Sequence, residues 1–90
     1  MDVSPATRNT LIRSVIRLTQ AADTNVSTLR LLADLTTALS DYANDDDHSA
    51  AHDLDDYVAE CLRVAEGKGD VSWRDELLET LEEDLKEEAL

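Results

Sequence analysis

The sequence predicts an all-α protein, a small four-helix bundle whose neighbouring helices run mainly antiparallel. Phe is absent and aromatics are 3%, so the core must be built from Leu, Val, Ile and Ala, a set suited to helix packing. One proline and two glycines occur among 90 residues, fewer turn residues than a β-rich fold of this size needs. Four amphipathic stretches with apolar residues at i, i+3, i+4 and i+7 cover about residues 5–22, 26–43, 50–66 and 73–89. The breaks between them are short, which favours antiparallel neighbours. Ninety residues leave room for one domain around one core.

Ser4 and Pro5 suit an N-cap and a first helical turn. Leu11, Ile12, Val15, Ile16, Leu18 and Ala22 then make one face, with Arg13, Arg17 and Gln20 opposite. Asp23, Thr24 and Asn25 form a polar break with three possible caps. The second helix carries Leu29, Leu32, Leu35 and Leu39 at helical spacing, widened by Leu31 and Ala38. So broad an arc suits a helix touching two neighbours. Its Thr36, Thr37 and Ser40 are mediocre helix formers, so tertiary packing must hold this segment.

The third helix has the cleanest period, through Ala51, Leu54, Tyr57, Val58, Cys61, Leu62 and Ala65. Tyr57 falls at the edge of that stripe, where its hydroxyl is expected to reach water. Ser49 is expected to cap this helix, and Gly67 to end it. In the fourth helix Trp73, Leu77, Leu81 and Leu85 form the apolar stripe, and Ser72 is expected at its cap. Trp73 is expected to close one end of the bundle. The predicted core is Leu11, Ile12, Val15, Leu32, Leu35, Leu39, Leu54, Val58, Cys61, Leu77 and Leu81.

Charge is the feature with functional content. The chain carries −13 at neutral pH, and the charge is unevenly placed. Residues 1–40 hold four arginines against three aspartates, a net of +1, whereas residues 41–90 hold eighteen acids against four bases, a net of −14. Asymmetry of this kind points to an interaction surface. On the fourth helix Glu76, Glu79, Glu83 and Glu87 stack into a ridge opposite the leucines. Like charges at i, i+4 cost about 0.2–0.5 kcal/mol per pair, so the ridge opposes folding and calls for a basic partner. Asp45, Asp46 and Asp47 before the third helix, with Asp55, Asp56 and Glu60 on it, extend the candidate partner-binding set.

Several functions are disfavoured by what the sequence contains. Nucleic acid and anionic membranes both need a basic surface, which this chain lacks. The longest apolar run is too short for a membrane span. The N-terminal residues do not resemble a signal peptide. A lone cysteine, Cys61, suits a reducing compartment and a buried, inert role. These features together predict a cytoplasmic protein. Asp45, Asp47 and Ser49 echo the start of a calcium loop, but Ala50 stands where glycine is required and Asp56 where glutamate is usual. His48 and His52 lack further ligands for zinc. No nucleophile–base pair or phosphate-binding loop stands at a motif spacing. A non-enzymatic protein without cofactor or metal is the expectation.

The leading reading is a small acidic binding protein that blocks a basic, nucleic-acid-binding partner, such as a nuclease or other effector. Carboxylates one turn apart stand about 5–6 Å from each other, comparable to successive phosphates along a strand. Immunity proteins of bacteriocin nucleases, antitoxins, anti-restriction proteins and anti-CRISPR proteins include members of this size and charge. The resemblance is one of architecture, with no shared motif. One alternative is a helical structural subunit or adaptor, in which a homo-oligomer is possible. Another is an ordinary helical protein with a halophilic surface, suggested by two lysines among eight basic residues. These readings differ in salt response. The protein is expected to stay helical by circular dichroism at physiological ionic strength, losing modest stability as salt is withdrawn. Unfolding at physiological salt would instead mark a halophilic surface.

Overall fold

A computed structural model describes residues 5–42 and 48–88 of the chain. Four helices follow in order: α1 (Pro5–Ala22), α2 (Val26–Tyr42), α3 (His48–Ala65) and α4 (Val71–Glu88). No strand occurs among the described residues, and the helices pack as a bundle measuring 36 × 23 × 22 Å.

Each described boundary has a local chemical cause. Asp23 adopts a left-handed φ of 54°, and its N–H donates to the Gln20 carbonyl to close α1. Two residues on, Asn25 caps α2: its side-chain oxygen accepts from the Thr28 N–H at 3.0 Å. Gly67 ends α3 with a φ of 78°, Gly67 N–H donating to Val64 O and Lys68 N–H to Arg63 O. That paired closure is the Schellman arrangement, which favours glycine. The next helix starts earlier than its sequence signal suggests. Asp70, not Ser72, is the cap, accepting from the N–H groups of Ser72 and Trp73 at 2.8 and 3.3 Å. Likewise α3 starts at His48, so Ser49 lies inside the helix rather than at its cap. Ser4 lies outside the described residues.

The core follows from one topological fact: α3 touches α1, α2 and α4, while α2 and α4 do not touch each other. Ala50, Leu54, Tyr57, Val58 and Cys61 of α3 are all buried. Around them close Ile12, Val15 and Ile16 of α1, Leu29 and Leu32 of α2, and Leu77, Leu81 and Leu85 of α4. The α2–α3 contact is the most extensive, with small residues on both sides: Ala33, Thr36 and Ser40 face a helix that carries Ala50 and Ala51 in its first turn. Thr36 is fully buried, its hydroxyl satisfied by Ala33 O and the Asp55 carboxylate.

Four leucines of the predicted apolar faces are displaced outward. Leu11 and Leu35 are each 46% exposed, Leu18 56% and Leu31 71%, while Leu39 is half-buried. The apolar arcs of α1 and α2 are wider than the partners available to cover them. Two aromatic expectations also reverse. Tyr57 is buried rather than at a wet edge, and Trp73 is 50% exposed rather than closing the core. Trp73 sits at the third position of α4, about 80° around the helix from Leu81 at the centre of the buried stripe.

The α3–α4 connection is tightened by Gly69. A Cβ there would lie 2.6 Å from the Val64 backbone nitrogen and 2.9 Å from the Arg63 carbonyl carbon, so helix backbone itself would have to shift. At Gly67 a Cβ would meet open space, and only the left-handed φ resists substitution. Gly67→Ala is therefore expected to cost about 1–2 kcal/mol. Gly69→Ala should cost more, because it displaces the chain end on which Asp70 caps α4. Urea unfolding of the two variants checks the order, and equal costs would contradict this account.

Candidate protein-interaction surface

The acidic face of α4 exists because its opposite face is well buried. Leu81 and Leu85 are fully buried and Leu77 nearly so. Burying a leucine contributes about 1.5–3 kcal/mol, so three of them outweigh ridge repulsion of about 1 kcal/mol in all. Packing wins, and the carboxylates are carried into solvent. Glu76, Glu79 and Glu83 are exposed, as is Glu82 between the last two. Among the described residues none of these four has an ion pair. Arg74 instead pairs with Asp75 at 3.4 Å, on the side of α4 that faces Tyr57 and Cys61. Glu79, Thr80, Glu82, Glu83 and Lys86 line a shallow open depression of about 330 Å³. Among the described residues that line it, Lys86 is the one basic group. The Glu87 side chain lies outside the described residues.

The acids predicted on α3 have different roles. Asp55 does not face outward as a free carboxylate: Thr36 and Thr37 of α2 both donate to its Oδ1 at 3.0 Å. It is an interhelical anchor. Glu60 turns along its helix, its Oε2 accepting the Asp70 N–H at 2.8 Å and its Oε1 lying 3.5 Å from Arg63. That places Glu60 in the α3–α4 connection, where it holds the residue that caps α4. Asp56 alone of the three stays exposed. Partial burial, then the adjacent Asp55 charge, push its carboxyl up from the usual range, and His52 opposes the shift. Asp45, Asp46 and Asp47 lie outside the described residues. The candidate surface thus contracts to α4, with Asp56 apart from it.

Two arrangements were not visible in the sequence. Ser40 of α2 bonds through its hydroxyl to His52 Nδ1 of α3, across a buried seam. No motif spacing links residues 40 and 52, so only the packing of α2 on α3 reveals the pair. Arg30 reaches across the same seam to Glu66 at 3.1 Å. The second is half-exposed Trp73, one turn before Glu76 on α4. A large aromatic beside carboxylates offers apolar area and a ring face to an arginine. Among the described residues no cluster of three or more His, Cys, Asp or Glu is placed to hold a metal ion. No described helix is long and apolar enough to cross a membrane.

The chain matches no family model, no curated protein and no solved structure.

Cys61 is a buried free thiol lying against Tyr57. Burial raises the Cys61 pKa above its ordinary 9.0, and burial followed by the Cys61 charge raises that of Tyr57. In the unfolded chain both groups ionise at their ordinary values. The stability they contribute is therefore fully present below the unfolded-state pKa values and lost as pH rises above them, by at most about 1.4 kcal/mol per pH unit for each group. The unfolding midpoint is expected to fall between about pH 8.5 and 11. Cys61→Ala should make that fall shallower, and an unchanged slope would show that Cys61 does not resist ionisation.

Proposed function

We propose that this protein is an acidic binding module that occupies the basic surface of a partner protein through the outer face of α4. One observation carries the reading: Glu76, Glu79 and Glu83 stand opposite the buried leucines, exposed and without ion pairs among the described residues. Carboxylates that served only the fold would be paired, as Glu60, Glu66 and Asp55 are. The alternative that Arg13 and Arg17 of α1 neutralise the ridge finds no support, because both are exposed and neither pairs with it. A fixed row of negative charge about 5–6 Å apart competes for the lysines and arginines that would otherwise hold phosphates. Trp73 supplies what charge alone does not, a large apolar group at the end of the row, of the type enriched at binding hot spots. A nuclease or another nucleic-acid-binding effector fits this chemistry.

The test replaces Glu76, Glu79, Glu83 and Glu87 together by glutamine, which retains shape and helix propensity. Stability is expected to rise by about 1 kcal/mol, since only like-charge repulsion is removed. Asp55→Ala, which removes the acceptor of Thr37 and one of the two acceptors of Thr36, is expected to cost about 1–3 kcal/mol and serves as contrast. The wild-type chain, immobilised and exposed to lysate of its own host, should retain a basic protein that double-stranded DNA or moderate salt displaces. The glutamine variant should not retain it. Loss of stability in that variant, or equal retention by both, would overturn the proposal.

A further inference from the structure

The face opposite the acidic one has its own chemistry. Leu31 is 71% exposed, Leu18 56%, and Leu11 and Leu35 46% each. Their positions follow from contacts. On α2, Arg30 and Thr37 reach α3, so the flank carrying Leu31 and Leu35 turns the other way, towards α1. On α1, Asn9 reaches the Leu85 carbonyl of α4, so the flank carrying Leu11 and Leu18 turns towards α2. The four leucines therefore line one outward groove between α1 and α2. Their heights match. Measured from the hairpin end at 1.5 Å per residue, Leu18 and Leu31 stand at about 6 and 8 Å, and Leu11 and Leu35 at about 16 and 14 Å. The groove thus holds two leucine layers.

Its borders are uncharged where they meet the leucines, at Ser14, Ala21, Thr28 and Ala38, all exposed. Charge appears only beyond them, with opposite signs at the two rims: Arg17 on α1 and Asp34 on α2. Both are exposed and neither has an ion pair among the described residues.

We propose that this groove joins two copies of the chain in a symmetric dimer whose two-fold axis runs parallel to the helices. That operation sets α1 of each copy against α2 of the other at unchanged height. Leu18 then meets Leu31 of the second copy, and Leu11 meets Leu35. Arg17, at about 8 Å from the hairpin end, comes within side-chain reach of Asp34 of the second copy, at about 12 Å. The rim pairs form twice. A basic partner finds no carboxylate among the leucines, whereas a second copy presents matching leucines and the opposite charge at each rim. Pairing through this groove also keeps the two α4 faces, on chains of charge −13 each, apart and outward. Two helices about 26 Å long and about 10 Å wide offer roughly 500 Å² per copy. The total of about 1,000 Å² lies at the small end for specific interfaces, so a dissociation constant in the micromolar range is expected. The dimer concerns a different face from the acidic one and stands or falls independently of a basic partner.

Sedimentation equilibrium of the full chain, from about 1 µM to about 1 mM at about 0.3 M salt to screen net repulsion, reads the mass directly. A concentration-dependent rise from 10.0 kDa towards twice that value is expected. Leu31→Glu should abolish the rise while circular dichroism stays helical, the position being exposed. Arg17→Glu and Asp34→Arg should each weaken association several-fold. The double variant R17E/D34R, which re-forms both rim pairs with reversed sign, should restore it. A monomer at every concentration would overturn the dimer. Association that survives Leu31→Glu, or a double variant as weak as its singles, would overturn this interface and its axis.

Discussion

Burial of α3 is the constraint on which the rest depends. It makes the two most extensive helix–helix contacts, with α2 and with α4, and also meets α1, and Leu54 and Val58 at its centre are buried almost completely. Because α2 and α4 do not meet, each relies on α3 for its main apolar contact, and α1 fills the space between them. The polar bonds that orient the bundle also converge on α3. Asp55 holds Thr36 and Thr37, His52 holds Ser40, and Glu60 holds the N-cap of α4. Several acids on this helix are thus consumed by structure. Net charge alone overstates the surface available to a partner.

The molecule that results is polar in the literal sense. Its carboxylate row faces away from the core on α4, supported by Leu77, Leu81 and Leu85 beneath. Its exposed leucines lie across the bundle, on the groove between α1 and α2, where the net charge of the sequence is close to zero. The two surfaces have opposite physics. Charge on α4 favours fast, salt-sensitive encounter with a basic surface. Leucines on α1 and α2 favour slow, weak association with another apolar face, which salt does not oppose. One small fold can carry both because each helix exposes only the arc that α3 leaves uncovered.

Helix number, helix type and most of the core were legible in the sequence because they rest on local periodicity and on capping chemistry close in the chain. Asn25 and Gly67 announce their boundaries through side-chain size and hydrogen bonding with near neighbours. The α4 start lies two residues ahead of its sequence signal because Ser72 and Asp70 are both competent caps. Asp70 prevails through a long-range bond from its N–H to Glu60. The ridge itself was legible, since i, i+3 and i+7 spacing is a property of one helix.

What the sequence by itself determined is therefore one-dimensional: four amphipathic helices, a leucine-rich interior, a near-neutral first half and an acidic second half. Tertiary structure alone decided which apolar residues stay wet and which acids stay free. Leu11 and Leu35 have the helical phase of core residues, and Trp73 belongs to the stripe of buried Leu77. Their exposure reflects the number and placement of neighbouring helices, which no periodicity encodes. Asp55 and Asp56 are adjacent and chemically identical, yet one is tied to two threonines from another helix and the other is exposed. A helix sets the direction in which a side chain points; only the packing of several helices sets what it meets there.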